Sequence, residues 1–134
     1  MKTDIKTLTS FLAAAVWADG EYDEYEKEFV GDLAAELEMP QLADALEKEI
    51  KATETMTEEQ LADYLESAAK KVAAGEGEGI LSLCLQMMCA DAFLAQDEMD
   101  NFFSFAEILN VDDDSATAIL DEFVDEEDDL IIEQ

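Results

Sequence analysis

Two stretches of this chain match each other without a gap. Ala18-Asp19-Gly20-Glu21-Tyr22-Asp23-Glu24-Tyr25-Glu26-Lys27 returns 72 positions later as Ala90-Asp91-Ala92-Phe93-Leu94-Ala95-Gln96-Asp97-Glu98-Met99. In both copies an apolar helical run closes on an Asp, and a Glu follows seven residues on, where the next helix opens. Asp19 and Glu26 thus correspond to Asp91 and Glu98. The register holds further along, with Leu33 against Phe105, Leu37 against Leu109 and Met39 against Val111. An internal repeat constrains a fold more than any local propensity does. Residues 8–39 and 80–111 are therefore expected to form equivalent helical hairpins.

Apolar periodicity predicts helices along the rest of the chain. Helix 1 is expected over 4–18, where Ile5, Leu8, Leu12, Ala15 and Val16 recur at helical spacing and Phe11 widens the face. Asp23 with Glu26 reads as a capping box opening helix 2, whose inward stripe is Phe29, Val30, Leu33 and Leu37. Pro40 stops that helix and suits the first turn of helix 3, with Leu42, Ala45, Leu46 and Ile50. Thr57-Glu58-Glu59-Gln60 is a second capping box, opening helix 4 with Leu61, Tyr64, Leu65, Ala68 and Val72. Gly75-Glu76-Gly77-Glu78-Gly79 reads as the flexible linker between the halves. It lacks the Lys-Ser/Thr of a phosphate loop, and its glutamates would repel phosphate.

Helix 5 is expected over 80–94. It is apolar nearly all round (Leu81, Leu83, Cys84, Leu85, Met87, Met88), as the buried centre of a bundle must be. Helix 6 contributes Phe102, Phe103, Phe105, Ala106 and Leu109. Helix 7, after Asp112-Asp113-Asp114, contributes Ala116, Ile119, Leu120 and Phe123. The fold class is all-α: a single-domain bundle of about seven helices over 1–134, with an internal pseudo-twofold duplication and helix 5 central. The related halves are about 1–52 and 80–125. The like-charge run Asp125-Glu126-Glu127-Asp128-Asp129 begins an acidic tail over 125–134, in which Leu130, Ile131 and Ile132 are free to dock on the bundle or a partner.

Charge narrows the function classes. There are 36 acidic residues against 7 lysines, with neither Arg nor His, for a formal charge of −29. No basic cluster exists to neutralise phosphates, so direct nucleic-acid binding and docking on anionic membranes are disfavoured. Divalent cations and basic protein partners are favoured instead. The competing reading of that charge is solubility, or adaptation to a saline cell. No signal peptide is visible and no apolar run is long enough to span a bilayer, so a cytoplasmic location is expected. Cys84 and Cys89, five apart in one helix, face different ways and can neither bridge nor form a zinc knuckle. Without His or Arg, and with no base at motif spacing from a serine, no catalytic apparatus is read and no organic cofactor is expected.

An apolar helix, then Asp19-Gly20 and an acidic turn, then Glu26-Lys27 opening a helix, resembles the signature of the tellurite-resistance TerB-like family. The resemblance covers 8–39 and 80–111; the second copy has Ala92 for the usual Gly, Phe93 and Leu94 in a turn that is often more polar, and Met99 for Lys. It implies an all-helical domain with two such hairpins, acting as a metal-binding module in a stress response. The residues alone point the same way, because Ca²⁺ and Mg²⁺ take carboxylate, carbonyl and water oxygens. Asp19, Glu21, Asp23 and Glu26 surround one tight turn, and Asp91, Asp97 and Glu98 surround the other. If the halves pack about a twofold, both turns converge on one cleft. Neither is an EF-hand, since Gly20 directly follows the first Asp, and the absence of His and of a usable Cys pair disfavours zinc and copper.

Two other readings stay open. Asp23 and Glu26 are also explained by capping and by the helix dipole; Asp19 and Asp91, near the ends of helices where the dipole disfavours anions, are not. The alternative function is an acidic interaction protein, a nucleic-acid mimic among the options, binding a basic protein partner or a second copy as a homodimer.

Overall fold

A computed structural model of the chain describes residues 2–20 and 22–132; Glu21 and the side chain of Asp19 lie outside the described residues. Among the described residues there are seven helices: α1 (Ile5–Asp19), α2 (Glu24–Glu36), α3 (Leu42–Thr53), α4 (Glu58–Ala69), α5 (Gly77–Met88), α6 (Gln96–Ile108) and α7 (Asp113–Glu126). Two two-residue strands, β1 (Phe93–Leu94) and β2 (Ile131–Ile132), pair in parallel. The all-α bundle is as expected.

The repeat reaches beyond the hairpins. Shifted by 72, α2 lands on α6 at both ends, and α3 lands on α7 to within one residue. The backbone repeats as well. Gly20 and Ala92 both take positive φ, at 95° and 63°, and so do Glu38 and Asn110, at 57° and 60°. After α2, the N–H of Met39 reaches back to Ala34 O at 2.8 Å; after α6, Val111 makes the same bond to Ala106 O at 2.8 Å. These are six-to-one closures in which a left-handed residue turns the chain so that a final carbonyl is satisfied.

The core is shared between α1 and α5. α5 packs on α1, α2, α6 and α7, while α1 packs on α3, α4, α5 and α6. α1 is buried on every side from Thr7 to Val16, a wider face than its apolar periodicity suggests. Two of its polar positions are satisfied by the helix itself: Thr9 Oγ1 donates to Ile5 O at 2.8 Å and Ser10 Oγ to Lys6 O at 2.8 Å. Phe11, Leu12, Leu81, Leu85, Met87 and Phe102 fill the space between the halves with side chains that are essentially sealed from solvent. Filling by methionine suits a junction of two unequal copies, since its unbranched chain adapts to irregular gaps.

Three local expectations are corrected. Helix 5 begins at Gly77, not residue 80, and ends at Met88, not residue 94. The glycine stretch is therefore only partly a linker: Gly77-Glu78-Gly79 forms the first turn of α5. A Cβ on Gly77 would stand 3.3 Å from Leu109 O, so a side chain there would crowd the end of α6. Leu94 leaves the helix to form β1, where it is fully buried. Pro40 precedes α3 by two residues instead of sitting in its first turn. The tail docks on its own bundle. Ile131 N–H donates to Ala92 O at 2.9 Å, and Leu130 and Ile132 rest against the core; Glu133 and Gln134 lie outside the described residues.

Candidate functional site

The first acidic turn is built from local signals. The Gly20 N–H closes α1 on Val16 O at 2.9 Å, and its positive φ redirects the chain. Asp23 then caps α2: its Oδ1 accepts from the Glu26 N–H at 3.0 Å, while Glu26 Oε1 accepts from the Asp23 N–H at 3.1 Å. Glu26 is only 1% exposed. Tyr22 sits half-buried beside this box with Lys27 Nζ 5.5 Å from its ring centre. Burial first, then the charges of Glu47 and Glu26, pushes the Tyr22 hydroxyl up to about 12.

The second turn keeps the backbone path and half the box. Ala95 has no capping oxygen, yet its N–H still donates to Glu98 Oε1 at 2.8 Å. Glu98, like Glu26, is buried, at 3% exposure. Asp91 is exposed and folds back, its Oδ1 accepting from the Phe93 N–H at 3.1 Å. Asp97 is exposed on the first turn of α6. Of the seven residues expected to ligate a cation, Asp23, Glu26, Asp91, Asp97 and Glu98 are described, whereas Glu21 and the Asp19 carboxylate lie outside the described residues. Among the described residues no group of three or more acidic or cysteine side chains is gathered closely enough to hold an ion.

One groove takes a residue from beside each turn, but Asp23, Glu26, Asp91 and Glu98 are not among those that line it. Ala18, at the end of α1, and Asp97, at the start of α6, line one groove of about 630 Å³ bounded by α1, α4 and α6. Its apolar walls include Trp17, Leu61, Leu65, Phe105 and Ile108, and Glu58, Asp97 and Asp100 stand among them. Trp17 is held in place there, its indole N–H donating to Thr53 Oγ1 at 2.8 Å.

A second polar centre escaped the sequence. Glu49 of α3 is 3% exposed. It accepts from Lys6 Nζ at 2.7 Å and Ser10 Oγ at 3.2 Å, and from the Tyr64 hydroxyl. Lys6 lies 5.7 Å from the Tyr64 ring centre, and hydrogen bonding to Glu49, then to Tyr64, holds its ammonium above the usual lysine range. This network ties α1, α3 and α4 together, and a buried carboxylate with three donors is a structural tie by ordinary standards. A signal existed, since Glu49 and Thr53 continue the stripe begun by Leu42 and Leu46.

Cys84 and Cys89 are both buried. Burial pushes the Cys84 thiol up to about 12, so it is no nucleophile. No helix among the described residues is long and apolar enough to cross a membrane. Comparison with family models, with curated proteins and with solved structures finds no match to this chain.

Proposed function

We propose that this chain is a non-enzymatic helical domain similar to the TerB family, which binds a divalent cation at its acidic interhelical turns in a stress or tellurite-resistance type of response. The observation that supports it is the pair Glu26 and Glu98. They occupy equivalent places in the repeat, both are withdrawn from water, and both are steadied by the N–H at the start of their helix. Each lies seven residues after an Asp: Asp19 at the end of α1, and Asp91 in the turn that follows α5. The donor set is all oxygen, which suits Ca²⁺ or Mg²⁺ and not a soft metal. Asp19 with Glu26 would hold an ion at the first turn and Asp91 with Glu98 at the second, while Glu21, Asp23 and Asp97 add negative potential around them.

Calorimetric titration with Ca²⁺, Mg²⁺ and Mn²⁺ in chelator-treated buffer tests this. Saturable binding by the wild type is expected, weakened about tenfold or more in Asp19→Asn, a loss of about 1.4 kcal/mol. Equal heats from the two proteins, or none from either, would sink it.

A second reading, an acidic module for a basic protein partner, is favoured by one observation. Most Asp and Glu side chains among the described residues are exposed, so nearly all of that charge faces outward.

A further inference from the structure

The groove between α1, α4 and α6 combines two properties that seldom coincide on a surface helix pair. Its floor is apolar, from Trp17 of α1, Leu61 of α4 and Phe105 and Ile108 of α6. Its rim is acidic, from Glu58 on one side and Asp97 and Asp100 on the other, and no lysine lines it. The groove follows α6 from Asp97 to Ile108, a run of three turns or roughly 16 Å at the rise of an α-helix. A trough of that length matches the apolar anchors of a helical ligand at i, i+3/i+4 and i+7.

We propose that this groove is the docking site for a basic amphipathic helix of a partner protein, with leucine-like anchors on the apolar floor and Lys or Arg against Glu58, Asp97 and Asp100. Charge selects this occupant. A second copy of a chain carrying −29 would bring like charge to the rim. The chain's own apolar tail is engaged elsewhere, with Ile131 and Ile132 paired to Phe93 and Leu94. The proposal needs no bound cation and stands apart from the cation reading.

Trp17 is the only tryptophan in the chain, so its emission reports on the groove. The probe is a synthetic peptide with leucines on one helical face, lysines elsewhere and no aromatic residue. It is titrated in EDTA at about 0.15 M salt, where exposed charges are screened beyond roughly 8 Å. A saturable change in Trp17 emission is expected. A scrambled peptide of equal composition should bind at least tenfold more weakly, as should the intended peptide to Leu61→Gln or Asp100→Lys. Asp100 is exposed, so its replacement leaves the fold in place, as circular dichroism will show. Equal binding of the scrambled peptide would reduce the effect to bulk charge and overturn the proposal. Undiminished binding by both variants, binding with silent Trp17, or no binding at all would do the same. A dilution-dependent change in Trp17 emission without peptide would assign the groove to a second copy and overturn it too. None of these outcomes bears on the calorimetric test of cation binding.

Discussion

Ala92 shows how a repeat can be kept while one of its residues is ill suited to its place. Its φ of 63° lies in the left-handed region, where its counterpart Gly20 sits at 95°. A side chain there costs about 1–2 kcal/mol that glycine avoids. The conformation persists because the Ala92 carbonyl accepts from Ile131 and its N–H donates to Cys89 O at 2.9 Å. Ala92→Gly is therefore expected to stabilise the protein by about 0.5–1 kcal/mol in urea unfolding, after the greater freedom of glycine in the unfolded chain is subtracted. An unchanged or lower midpoint would show that the turn is not strained. The sequence already marked this position, because Ala stands where the first copy has Gly. Asp23 and Glu26 were legible for a related reason: a capping box is contained within four residues. Glu49 was not. Whether a glutamate on an apolar stripe is buried depends on Lys6, Ser10 and Tyr64, contributed by two other helices, and no local pattern announces that meeting.

Elements were read well where their ends carry chemistry and poorly where they do not. α2, α4 and α7 start at Asp23, Thr57 and Asp112, each accepting from an N–H three residues on. α5 has no such cap, and its glycines suggested a linker. What orders its start is Glu76, whose carboxylate turns away from α5 to the chain's beginning. It accepts from the Lys2 and Thr3 N–H groups, each at 2.7 Å, and from the Thr3 hydroxyl at 2.5 Å. Thr3 Oγ1 in turn accepts from the Ala73 N–H at 3.1 Å, which closes the loop between α4 and α5 onto the residues before α1. Those bonds, the one from Lys2 N–H foremost, lower the Glu76 carboxyl from 4.5 to about 2. A folded-state value below the unfolded one means stability that is whole above pH 4.5 and is lost as the pH falls toward 2. Glu76→Gln should thus melt below the wild type at neutral pH, and the gap should close between pH 4.5 and 2. A gap that stays constant across that range would mean that the carboxylate's charge plays no part. The two-residue strands lie beyond sequence reading altogether, since so short a pairing has no period to detect.

At the scale of the whole molecule, a buried junction of α1 and α5 holds together a surface that repels itself. The charge of −29 on 134 residues opposes the folded state wherever acids crowd, and the acidic turns gather several of them at one end of α1 and α5. Monovalent salt relieves this repulsion by screening, without regard to place. An ion that occupies a site in the folded state alone acts differently: it adds RT ln(1 + [L]/Kd), about 2.7 kcal/mol at a hundredfold excess over its dissociation constant. For a domain of this size that is roughly 10 °C in melting temperature. Millimolar Ca²⁺ or Mg²⁺ is expected to raise the melting temperature more than NaCl of equal ionic strength. The excess should shrink when Asp19 and Glu26 are changed together to Asn and Gln. Glutamine at 26 keeps an oxygen that can accept from the Asp23 N–H, as Gln60 accepts from Thr57 in the other box, so the α2 cap survives the change. The informative quantity is the divalent-minus-monovalent difference within each protein, which any shift in baseline stability leaves untouched. Screening alone predicts the same small difference in both, and that result would reduce the acidic turns to helix caps and solvated charge.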